Sequence, residues 1–165
     1  PRHFVAGGTT IELTDLEIYY GECRIIDFSN LPDKSEISLE LLQEILGEDF
    51  PPRLLFRFDW DLRLNNLEYY SHHPYLSESA CEWLVKQGVK LIGTDAPMPD
   101  DPRNGRGNER DSPNHTILLA NGVAILEYLI NLRNIPTENF MLSAFPLPIR
   151  EGDGSPVRAV AIIND

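Results

Sequence analysis

The chain has 165 residues, 42% of them hydrophobic and 24% charged, the make-up of one compact domain that buries most of its apolar surface. Its 26 acidic against 14 basic side chains give a net charge of -12, which, with no gathered basic face, argues against a nucleic-acid partner. Apolar runs such as Ile117 to Leu119 and Ala159 to Ile163 fall far short of the roughly 20 residues needed to cross a bilayer, so a soluble protein with no membrane partner is expected.

In chain order, Thr10 to Leu16 reads as turn and short helix, and Cys23 to Phe28 is β-branched and apolar enough for a buried strand. Ser38 is a suitable N-cap for a helix whose Leu39, Leu42, Ile45 and Leu46 share a face until Gly47 stops it. Pro51 and Pro52 break the chain before a second interior strand, Leu54 to Phe58. An aromatic-rich stretch follows, in which Trp60, Tyr69, Tyr70 and Tyr75 flank His72 and His73. Ser77 caps the next helix, which runs to Gly88, and Val89 to Gly93 is a strand, an order typical of α/β domains. Asp95 to Asn114 is a long polar segment rich in proline, of the kind that forms lids or stays disordered. His115 opens a short apolar piece, followed by strand-like Val123 to Leu126, Glu127 and a helical turn through Leu132. Asn139 to Ile149 and Val157 to Ile163, joined by a turn at Glu151 to Gly154, read as a hairpin. No repeat or low-complexity tract suggests a boundary, so residues 1–165 are expected to form a single domain.

Cys23 and Cys81 have no CxxC spacing, so neither a disulfide framework nor a thiolate metal site is suggested, and a reducing cytoplasm fits best. The first residue, Pro1, is not the methionine of an unprocessed chain, which leads us to expect residues upstream. The sequence holds no GxSxG elbow, no GxxxxGK[ST] phosphate loop and no GxGxxG after a strand. Gly105-Arg106-Gly107, surrounded by acidic residues, reads as a flexible loop.

Histidine and carboxylate side chains are natural ligands for a divalent metal, and His115 and Glu127 bracket one apolar segment. By themselves they read more readily as a loop histidine and a strand-end carboxylate. His3 reads as a solvated terminal residue. Adjacent His72 and His73 point in opposite directions on an extended segment, so at most one serves a given site, and His73 can line a pocket with Trp60 and Tyr75. Asp95, at the end of a strand, is either a functional group or a turn cap.

Four segments together, PRHFVAGGTTI, HHPYLSESACEWLVKQGVKLIGTDAP, HTILLANGVAILEYLINL and the closing FPLPI…DGSPVRAVAI, resemble the cyclase family that includes bacterial kynurenine formamidase and isatin hydrolase. The resemblance covers nearly the whole chain. It implies a swivelling β/β/α fold, a mixed central sheet flanked by helices in an α/β domain. It also implies a metal-dependent amidohydrolase acting on a small aryl formamide or cyclic amide, as in tryptophan catabolism, with two zinc or manganese ions and a homodimeric or homotetrameric assembly. The family motif His-x-Gly-Thr-His-x-Asp-x-Pro-x-His is entered here at Pro1, so two further histidines and an aspartate are expected before it, and residues 1–165 would lack most of the ligands. By the same resemblance His3 matches the family's catalytic proton shuttle, and His115 and Glu127 match later metal ligands. Phe4, Trp60 and Tyr75 could sandwich an aryl substrate, or equally be core. The alternatives are a binding or structural member of the fold without its metal, or a lactonase or polyketide cyclase using the same site.

Overall fold

Isoleucines 25 and 26 lie within the first strand, β1 (Tyr20–Asp27), of the computed structural model, which describes residues 1–104 and 110–163. Next come a short strand, β2 (Glu36–Ile37), and helix α1 (Leu39–Leu46), which begins where the Ser38 hydroxyl accepts a hydrogen bond from Leu41 N–H at 3.3 Å. Gly47, at φ 65°, ends the helix. After Pro52 the chain enters β3 (Arg53–Arg57), and later a second short strand, β4 (Tyr75–Leu76), pairs with β2. Ser77 caps α2 (Glu78–Lys86) by accepting from Ala80 N–H at 3.1 Å, and Gly88 at φ 77° turns the chain into β5 (Leu91–Thr94). Among the described residues, the remaining α-helix and strands are α3 (Pro113–Ala120), β6 (Ala124–Leu126), β7 (Asn139–Ser143) and β8 (Val160–Ile162), and short 3-10 turns occur between elements.

Six of these strands form one mixed sheet in the order β6-β5-β3-β1-β7-β8. The first four run parallel, whereas β7 is antiparallel to β1 and β8 antiparallel to β7. Central parallel strands are covered on both sides, which is why Leu54, Leu55 and Phe56 are all buried in succession. Because side chains alternate along a strand, Leu54 and Phe56 face one core with Leu42, Leu84 and Leu118 from the three helices, while Leu55 faces the other with Tyr19, Leu129 and Phe140. This is the α/β class expected from the chain order, with the mixed central sheet and flanking helices that the resemblance implied. Among the described residues, no helix is long and apolar enough to cross a membrane.

Two local expectations need correction. The piece opened by His115 is part of a helix, α3, that starts two residues earlier: Pro113 occupies a first-turn position where its missing N–H costs nothing. The closing strands do pair, with Met141 opposite Ile162 and Ser143 opposite Val160, but they are short and joined through residues 144–159 rather than by a tight turn at residues 151–154. The turn is instead anchored elsewhere, since Ile11 N–H donates to Gly152 C=O at 2.8 Å and Glu151 N–H to Glu12 Oε1 at 2.8 Å. The Gly105-Arg106-Gly107 reading lies outside the described residues.

A buried arginine ties β3 to the turn before β1. Arg53 Nε donates to Ile18 C=O at 2.8 Å and its Nη2 donates to Glu17 C=O. The guanidinium fits because residue 21 is glycine: at φ 143° a Cβ there would stand 2.5 Å from Arg53 Nη1. Gly21→Ala is expected to cost about 2–4 kcal/mol, from the unfavourable φ and from displacing an arginine whose two carbonyl partners are then left unpaired. Chemical denaturation would measure it, and a loss below about 0.5 kcal/mol, the range of an ordinary surface substitution, would show that the guanidinium moves freely.

Candidate functional site

His115 and Glu127 are brought together by the α3-β6 unit. From His115 the helix runs to Ala120, turns at Asn121 and Gly122 (φ 77°), and returns along β6, with Val123 N–H donating to Leu118 C=O at 3.0 Å. Five helical steps rise roughly 7–8 Å and the strand returns at roughly 3.3 Å per residue, so the start of the helix meets the end of the strand. His115 Nε2 and Glu127 Oε1 stand 3.2 Å apart. The contact is not aligned as a hydrogen bond, and Oε1 is buried without a hydrogen-bond partner.

A third residue, not singled out in the sequence, organises the pair. Asp100, completely buried, accepts from Asn114 N–H at 2.6 Å through Oδ1 and pairs with His115 Nδ1 at 2.5 Å through Oδ2. It thereby does for α3 what Ser112 does not: Ser112 sits at φ 49° and makes no side-chain cap, so the carboxylate serves the helix N-terminus from a distant loop. Asn114 Nδ2 in turn donates to Leu76 C=O at 2.7 Å and Pro99 C=O at 3.0 Å, which secures that loop. With Nδ1–H given to Asp100, a neutral His115 directs the lone pair of Nε2 at a carboxylate oxygen, an arrangement that demands a proton or a cation between them. Burial alone would push the His115 pKa down, but the hydrogen bond to Asp100 and the charges of Asp100 and of Glu127, whose carboxylate stands 3.2 Å from Nε2, raise it to about 9.

A trough of about 1470 Å³ opens over this pair, lined among others by His3, His115, Glu127, Tyr128, Leu129 and Asp153. It is larger than the roughly 300–1,000 Å³ usual for a small-molecule pocket. His3 is exposed at its side, with burial the main influence lowering its pKa. Phe4 bridges the two histidines: its ring lies 4.6 Å from His3, edge-on, and 4.4 Å from His115, stacked.

The remaining candidates fall elsewhere. His73 is fully buried, with Nδ1 3.0 Å from Pro74 C=O and Nε2 lacking a partner. Burial lowers its pKa against the opposing charges of Asp100, Asp101 and Glu127, and it does not line the trough. The notion of Trp60 and Tyr75 as walls beside it is corrected by their packing. Trp60 is core, donating from Nε1 to Tyr69 C=O at 2.9 Å under the Arg63 guanidinium, and Tyr75 is buried with its hydroxyl accepting from Arg103 at 2.7 Å. Neither lines the trough.

Asp95 also comes to rest in the interior, accepting from Phe58 N–H at 3.0 Å. Its carboxylate lies near those of Asp59 and Asp61, the three offering oxygens within 4.8 Å of one another. Guanidinium groups already neutralise this cluster: Arg57 binds Asp59 at 2.8 Å and Arg133 pairs with both Asp59 and Asp61. Burial, opposed by the Phe58 N–H and reinforced by Asp61 and Asp59, raises the Asp95 pKa to about 7. Between about pH 4 and 7 the native state thus holds a proton that the unfolded chain has released, so stability falls as pH rises through that window. Thermal unfolding of Asp95→Asn across the same range should lose that decline, whose size is on the order of a few kcal/mol. An identical pH profile in wild type and variant would refute the shift.

Comparison with known proteins bears on this site. The family model described as "Putative cyclase" matches residues 1–101. The chain is 34% identical over 160 residues to a kynurenine formamidase of Erythrobacter litoralis, covering 97% of this chain and 68% of that protein. With a kynurenine formamidase of Geobacillus thermodenitrificans it shares 35% identity over 159 residues, or 96% of this chain and 70% of the other. In structure it superimposes on an isatin hydrolase bound to the product analogue thioisatinate with a TM-score of 0.87 at 24% identity, over 99% of this chain and 69% of that one. Isatin hydrolase A from Labrenzia aggregata, bound to benzyl benzoate, gives 0.82 at 26% identity over 94% and 66%.

Proposed function

Since the chain belongs to this cyclase family, we propose that it is a metal-dependent hydrolase of a carbon–nitrogen bond in a small aryl formamide or cyclic amide, with His115 and Glu127 as metal ligands. The observation that carries this reading is the 3.2 Å approach of His115 Nε2 to an otherwise unpartnered carboxylate oxygen. Two donors each about 2.0–2.1 Å from a tetrahedral ion stand roughly 3.3 Å apart, so the pair already has the separation of neighbouring ligands. Asp100 supports the same reading, because a carboxylate on the far nitrogen of a ligating histidine fixes its tautomer and raises its basicity. Nitrogen and carboxylate donors suit zinc and manganese alike.

When bound, such an ion would lower the pKa of water and polarise the amide carbonyl. The chain's own residues hold and steer. Asp100 holds the His115 ring in place, and Phe4, stacked on that ring, restricts its rotation and keeps water from its face. His3, across the Phe4 edge, has a pKa lowered mainly by burial, which favours the neutral imidazole that can take a proton and return it to the departing nitrogen. The names of the relatives, formamidase and isatin hydrolase, support an aromatic amide as substrate.

The test is metal analysis of the full-length protein together with hydrolysis of an aryl formamide and of isatin. Bound zinc or manganese, with turnover that disappears on chelation and returns with metal, is the expected result. Turnover indifferent to chelation, or none with metal bound, would overturn the reading.

A further inference from the structure

Immediately after Glu127 the chain holds a bulky residue in a conformation that bulky residues avoid. Tyr128 has φ 56°, in the left-handed region where a side chain with Cβ is strained. Two hydrogen bonds impose it: Tyr128 N–H donates to Ala96 C=O at 3.2 Å and Leu129 N–H to Thr94 C=O at 3.0 Å, tying the loop to the end of β5. The ring is not repaid by burial, being 46% exposed. It stands instead at the head of an aromatic group, 6.1 Å from Tyr69 with 26° between the planes and 6.5 Å from Tyr70. Tyr69 and Tyr70 meet edge to face at 5.1 Å, and Tyr69 is fully buried and anchored by its hydroxyl to Asp95 C=O at 3.1 Å. The group therefore has a fixed base and an open top, and Tyr128 lines the same trough as His3, His115 and Glu127.

A strained backbone next to a reactive residue, carrying a half-exposed aromatic side chain on a fixed aromatic base, points to a binding surface rather than to packing. We propose that Tyr128, backed by Tyr69 and Tyr70, is the specificity-determining surface for the aromatic ring of the substrate, placing the ring so that the scissile amide reaches His115 and Glu127. This rests on the hydrolase reading and adds the residue that selects aryl over alkyl amides. A tyrosine face attracts another ring in offset or edge-on stacking, whereas a short alkyl amide gains little from it.

The test compares hydrolysis of a phenyl formamide and of a short alkyl formamide by the full-length metal-loaded protein and its Tyr128→Asn and Tyr128→Phe variants. Asparagine tolerates the left-handed conformation, so the fold should hold and the thermal midpoint should not fall. In Tyr128→Asn the preference for aryl over alkyl substrate should drop about tenfold, mainly through a higher KM for the aryl compound, and Tyr128→Phe should restore it. An unchanged preference in Tyr128→Asn, or an equal loss on both substrates, would overturn the assignment while leaving the hydrolase reading intact. A wild-type protein inert towards both substrates would overturn the hydrolase reading and this inference with it.

Discussion

Glu127→Gln should strip the full-length protein of its metal and lower kcat/KM on an aryl amide by at least on the order of a thousandfold, while leaving its far-ultraviolet circular dichroism unchanged. Glutamine keeps the length and shape of the side chain but removes the charge that a divalent ion needs. Without the ion, the nucleophile must come from water of far higher pKa, which is a loss of many orders of magnitude in reactive hydroxide at neutral pH. Structural damage is expected to be small because Oε1 makes no hydrogen bond that the amide could break. Full metal occupancy with activity within tenfold of wild type would remove Glu127 from the ligand set.

Asp100→Ala is expected to act on both stability and chemistry. The carboxylate is completely buried and serves two partners, Asn114 N–H at the start of α3 and His115 Nδ1. Truncation leaves an imidazole and a helix N-terminal N–H unpaired in the interior, at a cost of about 3–5 kcal/mol. It also frees the ring to rotate and to adopt the other tautomer, so metal affinity should fall by about 10–100-fold. Asp100→Asn separates the two effects: its carbonyl can still accept from Asn114 N–H, so stability should recover in part while metal affinity stays weak. Denaturant titration and competitive chelator titration would read the two quantities. Wild-type metal affinity in both variants would show that His115 is oriented by its helix alone.

Several elements were legible in the order of residues because their signals are local. Ser38 and Ser77 accept from the N–H three residues on, and Gly47 and Gly88 carry the positive φ that ends or follows a helix. The apolar run Leu54 to Phe56 is a strand buried on both faces, as an uninterrupted run implies. Helix α3 was less legible. Its eight residues are apolar on more than one face, since Leu118 and Leu119 are both buried, and periodicity over so short a segment is weak.

The residues of the site divide in the same way. By itself the sequence determined that His115 and Glu127 stand twelve positions apart, and resemblance rather than spacing marked them for attention. Their convergence needed a helix and a strand of matched length, and that follows from the local chain. Asp100 could not be found so, because an aspartate among prolines looks like a turn until the loop after β5 folds back onto the start of α3. The same holds in reverse for Trp60 and Tyr75, whose type suits an aromatic pocket and which the tertiary structure commits to packing and to Arg103. Tyr128 is the clearest case: nothing in its sequence neighbourhood announces a left-handed backbone, which is imposed by two carbonyls at and just after the end of β5, more than thirty positions upstream. Local hydrogen bonds and side-chain alternation act over a few residues and are written in the sequence. Burial, opposed charges and imposed backbone strain arise only between segments far apart in the chain, and the fold alone decides them.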